Sequence, residues 1–355
     1  MKWGHIGSYN RNLGDNIALL NVRNEFNKYI NNIEWVSLDI HDIFWARGNN
    51  PQFTINFINQ HNFDGLIIGG GGLIEYKGYE HHQTHYKLPF NKEILTSLNC
   101  SAYFIGLGIN YFRGLEGFSD KAKQSLKETI EYSKYFSLRN DGSLKILKEL
   151  GLNSKKVKEI PDPGLIYSFE KTKNYINKNN YIQPSFNSNE EININRFKSK
   201  SNIELLINFS DQNKLTAVPH TPKDYKYFKD FLFDKNELQS MLNFNYTSEL
   251  VKVYLNFDSL IAMRGHGQLI SIGLNIPGLY LSTQDKVRDF SLLNGFEDYN
   301  IDIEEDNWYK DLKYKYNKIL NDKDYLNNWY KIRNKNIINY KNQITKTKKD
   351  IKDGL

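Results

Sequence analysis

A single cysteine, Cys100, stands among 355 residues, so no disulfide forms within the chain and a disulfide-stapled fold is excluded. A charged start followed by an apolar core and a small-residue cleavage site is also missing, and the expectation from both absences is a cytoplasmic protein. No apolar run approaches the roughly 20 residues that a bilayer-crossing helix needs, so any membrane contact is expected to be peripheral at most. A strong excess of one charge is lacking too: 47 Lys and Arg face 41 Asp and Glu, a net +6 that reads as interspersed along the chain. That balance is too mild for a nucleic-acid stripe, and no nucleic-acid partner is expected, but its sign suits phosphates and carboxylates. There is no internal repeat of fixed period.

What is present is globular. Hydrophobic residues make up 39%, charged residues 25%, and 21 Phe, 24 Tyr and 5 Trp supply ample material for packed cores. The length predicts two domains, at about 150 residues each, and two domains imply a cleft. Crowding of Asn, Lys, Ile and Tyr in the polar stretches reads as codon bias rather than function.

The order of elements predicts the fold class. Lys2 to Ile6 reads as a strand, Gly7 to Gly14 as a polar turn, and the Asp15, Ile17, Leu19, Leu20, Val22 pattern as a helix. The apolar run Gly65 to Ile68 ends in Gly69 to Gly72; Ala102 to Gly108 and Tyr135 to Arg139 are further strands, the last followed by a helix from Ser143 that Gly151 closes. Lys- and Asn-rich sequence from Glu170 to Asn180 places a boundary between domains at 1–175 and 180–355. The pattern then restarts, with strands at Tyr181 to Phe186, Leu215 to Val218, Ser259 to Met263 and Gly278 to Leu281. Helices are expected at Ile203 to Phe209, near Tyr225 to Phe233, at Ser248 to Asn256 and at Gln268 to Ile272, and two or three amphipathic helices from Trp308 to Ile351. Alternating strands and helices mean parallel, doubly wound sheets in both halves.

Ligands of open α/β sheets bind beyond the carboxyl ends of strands, so the junctions there carry the candidate residues. At the first, Gly14 relieves the backbone, Asp15 can cap the following helix, and either Asn12 or Asp15 can instead hold a substrate hydroxyl. At the second, Gly70 and Gly71 let backbone amides approach a ligand, although the run is no G-x-G-x-x-G fingerprint. At the third, Arg139 either clamps an oxyanion or pairs with Asp141. The fourth is the richest: Arg264 and His266 flank Gly265, and Lys286 lies 20 residues beyond His266. Two cations neutralise a dianion, and an imidazole, with a free pKa of about 6.5, moves a proton beside it. His220 and Asp224 lie four apart after a strand, either lining the cleft or forming a cap or ion pair. His81, His82 and His85 include an i, i+4 pair without the intervening Glu of a zinc protease, and no metal is expected.

Taken in order, N-x-G-D at Asn12 to Asp15, the glycine run, S-x-R at Ser137 to Arg139 with a following Asp, D-P at Asp162-Pro163, H-x-x-x-D at His220 to Asp224, R-x-H at Arg264 to His266, and Lys286 resemble the polysaccharide pyruvyl transferase family. The resemblance runs from about residue 4 to residue 300. It departs at Arg139-Asn140-Asp141, where the acidic residue of the usual R-D pair is displaced by one, and in the Asn- and Lys-rich stretch between Ile182 and Ile203. It implies two Rossmann-like domains facing a cleft, as in GT-B glycosyltransferases, and transfer of the enolpyruvyl group of phosphoenolpyruvate to a sugar as a pyruvate ketal in polysaccharide biosynthesis. By similarity Arg264, His266 and Lys286 match positions that bind phosphoenolpyruvate and support catalysis, with Arg139 as an addition. The expected partners are then phosphoenolpyruvate, as co-substrate, and a sugar or glycan acceptor, with no metal or redox cofactor. The acceptor is expected against the first domain, near Asn12, Asp15 and the glycine run, with the halves closing to exclude water. Two other readings share the fold: a nucleotide-sugar-dependent GT-B glycosyltransferase and a non-catalytic carbohydrate-binding protein.

Overall fold

The computed structural model describes residues 1–28, 30–41, 50–110, 117–165, 180–183 and 200–352. The chain forms two compact units: Met1–Tyr9 with Asp15–Pro163 and Tyr340–Leu355, and Asn10–Gly14 with Gly164–Asn339. The boundary expected at 175 falls outside the described residues.

The first unit is built on β1 (Lys2–Gly7), β2 (Glu34–Asp39), β3 (Gly65–Gly69), β4 (Ser101–Leu107), β5 (Tyr135–Arg139) and β6 (Val157–Ile160). Their order is β2-β1-β3-β4-β5-β6 and every pairing is parallel. The helices between them are α1 (Leu13–Asn27), α2 (Pro51–Asn59), α3 (Lys92–Ser97), α4 (Asp120–Tyr132) and α5 (Ser143–Glu149). Side chains alternate across a strand, so the run Leu66-Ile67-Ile68 sends Leu66 and Ile68 into one core with Ile6, Phe104 and Phe136, and Ile67 into another with Trp3, Tyr103 and Ile105. Both faces are covered, which is why these strands read as unbroken apolar runs. Local chemistry sets the helix starts: Asn50 accepts from the Phe53 amide at 3.1 Å ahead of Pro51, and Ser119 accepts from the Ala122 amide at 3.2 Å.

The second unit holds β7 (Asn180–Gln183), β8 (Thr216–Ala217), β9 (Ser259–Ala262), β10 (Gly278–Ser282) and β11 (Asn300–Asp302), all parallel in the order β11-β10-β9-β7-β8. Its helices are α6 (Lys200–Gln212), α7 (Lys235–Met241), α8 (Thr247–Val253), α9 (Gly265–Gly273), α10 (Asp285–Leu293), α11 (Trp308–Asn321) and the part of α12 (Lys323–Lys352) up to Asn339, the rest of that helix belonging to the first unit. The amphipathic tail is thus two helices. Arg333 of α12 donates to the carbonyls of Ile272 at 2.9 Å and Gly273 at 3.1 Å, a cationic cap on the last turn of α9. Among the described residues no helix is long and apolar enough to cross a membrane.

The helix expected near Tyr225 to Phe233 is absent. Thr221 and Asp224 form a capping box around Pro222 that winds a single 3-10 turn, Pro222–Lys226. The chain then extends, with Phe231 bridging to Ala217 and the Tyr225 hydroxyl donating to the Phe233 carbonyl at 2.6 Å, and helix begins only at the Asp234 cap of α7. Tyr225 and Phe231 pack ring on ring at 4.2 Å across the extended segment.

Strand order reverses between β1 and β3 in the first sheet and between β7 and β9 in the second. Those reversals open crevices at the carboxyl edges, where ligands of such sheets bind. The glycine run follows β3, and Arg264 to His266 follow β9.

Candidate functional site

In the second unit, the buried strand β9 runs through Met263 to Arg264, which is extended at φ −109° and ψ 145° and caps α9. His266 is therefore in the first turn of α9, where helix-terminal amides and the helix dipole favour an anion. A Cβ at Gly265 would meet nothing within 4 Å, so the backbone there borders open space. Lys286 is the second residue of α10, directly after the neighbouring strand β10. The Thr283 hydroxyl donates to the Met263 carbonyl at 3.4 Å and ties the two loops together.

Asp224 is fully buried and serves three donors. The amides of His220 at 2.8 Å and Thr221 at 2.9 Å donate to its Oδ2, and Nη2 of Arg264 donates to its Oδ1. The same Nη2 reaches the Thr221 hydroxyl at 3.4 Å. This carboxylate fixes where the guanidinium stands. Asp224 thus caps its turn and pairs with Arg264, while His220 reaches it through the backbone amide and not through the ring.

His220 is fully buried, and its Nε2 shares a hydrogen bond with the Tyr254 hydroxyl. Burial, and then the charge of Arg264, lower its pKa to about 3. It is neutral where the unfolded chain, at about 6.5, would begin to protonate. Below that value the unfolded state binds the extra proton, so His220 costs stability progressively as pH falls from about 6.5 toward 3. His220→Gln is expected to flatten the fall of thermal midpoint between pH 6.5 and 4 relative to wild type, and parallel curves would remove this histidine from the acid response.

The loop Asn10–Gly14 belongs to this unit by its contacts. Asn10, left-handed at φ 60°, accepts from the Phe244 amide at 2.8 Å, and the Leu13 amide donates to the His220 carbonyl at 3.2 Å. Asn12 accepts from the Gly14 amide at 2.8 Å, closing an Asx turn. Gly14 lies against the imidazole: a Cβ there would overlap Cβ, Cγ and Nδ1 of His266. Gly14→Ala must move either the loop or the helix head. Its expected effect is a kcat loss of about 10²-fold, the penalty of misplacing a reacting group by about 1 Å. Steady-state kinetics with a thermal melt check this, and unchanged kcat would show that the contact is not needed.

In the first unit, Arg139 ends β5 and is 4% exposed. Its Nε donates to Asp141 at 2.5 Å and its Nη1 is 3.2 Å from Asp162. Burial disfavours its charge, yet Asp141, Asp162 and Asp15 outweigh burial and raise its pKa. Of the two roles open to Arg139, this geometry displays the ion pair. A Cβ at Gly108 would strike the guanidinium, and Asp141 also accepts from the Ser143 hydroxyl at 2.5 Å. The displaced acidic residue thus both pairs Arg139 and accepts from the Ser143 amide at 3.2 Å, just ahead of α5.

The glycine run packs against the loop after β4. The Gly70 amide donates to the Ile105 carbonyl at 3.2 Å, the Gly71 carbonyl accepts from the Gly108 amide at 3.0 Å, and the Gly72 carbonyl accepts from Asn110 Nδ2 at 2.8 Å. Gly70 is left-handed at φ 83°, a conformation open to glycine. The Asp15 carboxylate lies 3.3 Å from where a Cβ of Gly71 would stand, so Asp15 and the run are together. His81 and His82 meet edge to face, while His85 points to the Ser119 hydroxyl at 3.2 Å. Among the described residues no three His, Cys, Asp or Glu side chains are placed to hold a metal.

The structure therefore brings together Arg264 with Asp224 and Thr221, His220 with Tyr254, and Gly14 with His266, and puts Lys286 at the adjoining strand end. Tyr254, Thr221 and Gly108 escaped the sequence reading. None carries a motif, and each acts on a residue 31 to 43 positions away.

Two parallel sheets flanked by helices, with the candidate loops at the carboxyl edges, define a GT-B-type α/β protein. Solved structures of similar fold include sugar-nucleotide epimerases and glycosyltransferases. A putative UDP-N-acetylglucosamine 2-epimerase from Listeria monocytogenes is 10% identical at TM-score 0.50, over 94% of this chain and 90% of that one. UDP-GlcNAc 2-epimerase from Methanocaldococcus jannaschii in complex with UDP-GlcNAc and UDP is 12% identical at TM-score 0.47, over 90% and 93%. Spinosyn rhamnosyltransferase SpnG complexed with thymidine diphosphate is 11% identical at TM-score 0.45, over 94% and 95%. No curated protein matches the chain in sequence. The sequence model of the polysaccharide pyruvyl transferase family matches residues 12–285, and the chain belongs to that family. The match contains every motif described above except Lys286, one residue past its end.

Proposed function

We propose that this pyruvyl transferase takes its pyruvyl group from phosphoenolpyruvate and delivers it to a sugar as a cyclic ketal. The observation that carries the reading is the adjoining pair of helix heads after β9 and β10, which offers Arg264, Lys286 and the imidazole of His266 at one edge of one sheet. A phosphate and a carboxylate need two cations and helix-terminal amides. An enol needs a proton donor.

In this reading Arg264 and Lys286 neutralise the donor, and Asp224 holds Arg264 in place. His266 gives a proton to C3, the methylene carbon, and C2 becomes cationic in character. One sugar hydroxyl adds to C2, and its proton returns to His266. The C2–O bond to phosphate then breaks, inorganic phosphate leaves on the cations, and a second hydroxyl of the same sugar adds to C2 and gives its proton to the departing phosphate. The products are one ketal and one phosphate, with no redox change, so the scheme calls for no metal or redox cofactor. Asp15, Gly70 and Gly71 are assigned to the acceptor sugar, with Asn12 supporting the Gly14 turn. Arg139, locked by Asp141 and Asp162, acts as a cross-link that shapes the loop after β5.

Carbon-labelled phosphoenolpyruvate incubated with candidate sugars and glycan precursors tests this. Acid-labile label in the glycan with equimolar phosphate is the expected result. Consumption of a nucleotide sugar without incorporation would overturn it in favour of glycosyl transfer, and glycan binding with no turnover would favour a carbohydrate-binding protein.

A further inference from the structure

The net charge of +6 is not interspersed once it is counted by element. Residues 323–352, the span of α12, hold nine Lys and Arg against two Asp, which leaves 38 against 39 in the rest of the chain. One helix carries the whole positive excess. At about 100° per residue, Lys331, Lys335, Ile338, Lys341 and Lys349 fall within an arc of about 120°. All five are exposed, and between Asn327 and Lys349 that arc contains no carboxylate. The opposite side is buried through Trp329, Asn336 and Tyr340.

Ile338, at the centre of the lysines, is 60% exposed. Two more exposed aliphatics, Leu292 at 52% and Leu293 at 62%, end α10. The turn that follows them is held to α12, with Asn336 Nδ2 donating to the Asn294 carbonyl at 2.6 Å and Ile332 lying 3.6 Å from where a Cβ of Gly295 would stand. Lysines for headgroups, with aliphatics set among and beside them to enter the acyl boundary, are the composition of an interfacial helix. A nucleic-acid backbone would pair with the lysines and leave the isoleucine without a partner.

We propose that the exposed face of α12 docks the protein on an anionic phospholipid surface, with Lys331, Lys335, Lys341 and Lys349 on headgroup phosphates and Ile338 in the interface. The inference is independent of the donor chemistry above, and its test uses no turnover.

Flotation of the full chain with phosphatidylglycerol-containing vesicles should show binding that weakens at high salt, and pure phosphatidylcholine vesicles should show little. Lys331→Gln, Lys335→Gln, Lys341→Gln and Lys349→Gln combined should lower the affinity by about two to three orders of magnitude, at about fivefold for each lysine near the surface. The single variant Ile338→Asn keeps the charge and should weaken binding several-fold. All five positions are exposed, so thermal midpoints should stay within a degree or two of wild type. Equal binding to both vesicle types, wild-type binding by the four-lysine variant, or duplex DNA bound more tightly than vesicles with Ile338→Asn unaffected would each overturn the proposal.

Discussion

His266→Gln is expected to lower kcat for phosphoenolpyruvate-dependent transfer by about 10²- to 10⁴-fold, the range that positioned proton donors contribute. Glutamine keeps a hydrogen-bonding side chain at the head of α9 but carries no transferable proton. Donor binding, which the scheme places on Arg264 and Lys286, should change far less, so the defect belongs in kcat rather than KM. His266 is half-buried and its helix is seated by seven buried residues from Gly267 to Gly273, so the fold should survive. Single-turnover rates with labelled donor check this directly. A variant that turns over at the wild-type rate would mean that another group supplies the proton.

Asp224→Ala should cost about 3–5 kcal/mol of stability, because it leaves the Arg264 guanidinium without its buried carboxylate and opens the turn that Asp224 closes. Asp224→Asn, which still accepts from the two amides, should fall between. In both, KM for the donor should rise, since Arg264 is no longer fixed. Urea unfolding midpoints with KM measurements separate the two effects. A stability loss under about 1 kcal/mol in Asp224→Ala would show that the ion pair is replaced by water.

Much of the frame was legible because both sheets are parallel and covered on both faces. Leu66-Ile67-Ile68 and Ala102 to Leu107 are continuous apolar runs, and such runs have few alternatives to a buried strand. The edge strands β2 and β6 were not legible. Glu34–Asp39 and Val157–Ile160 mix charged and apolar residues, and only pairing to one neighbour reveals them. The candidate residues of the second unit stand out in the sequence by their place after strands. Their partners do not, because Asp224 reaches Arg264 across 40 positions and Tyr254 reaches His220 across 34. Asp162 stands in a D-P pair, and nothing in two residues tells that the carboxylate will grip Arg139. The closeness of Gly14 to His266 was equally hidden: from the sequence the glycine reads as a turn residue, whereas it is the second residue of α1 with the imidazole against it.

The guanidinium of Arg333 clasps the last two carbonyls of α9, while the first turn of α9 carries the imidazole. Nine residues of helix span only about 13 Å, and over so short a rod there is almost no give. Pushing the surface helix along its own axis therefore either snaps two hydrogen bonds or carries His266 with it. A tug at the rear of the rod is felt at its tip, so substitutions at Arg333 should be read by their effect on chemistry as well as on melting.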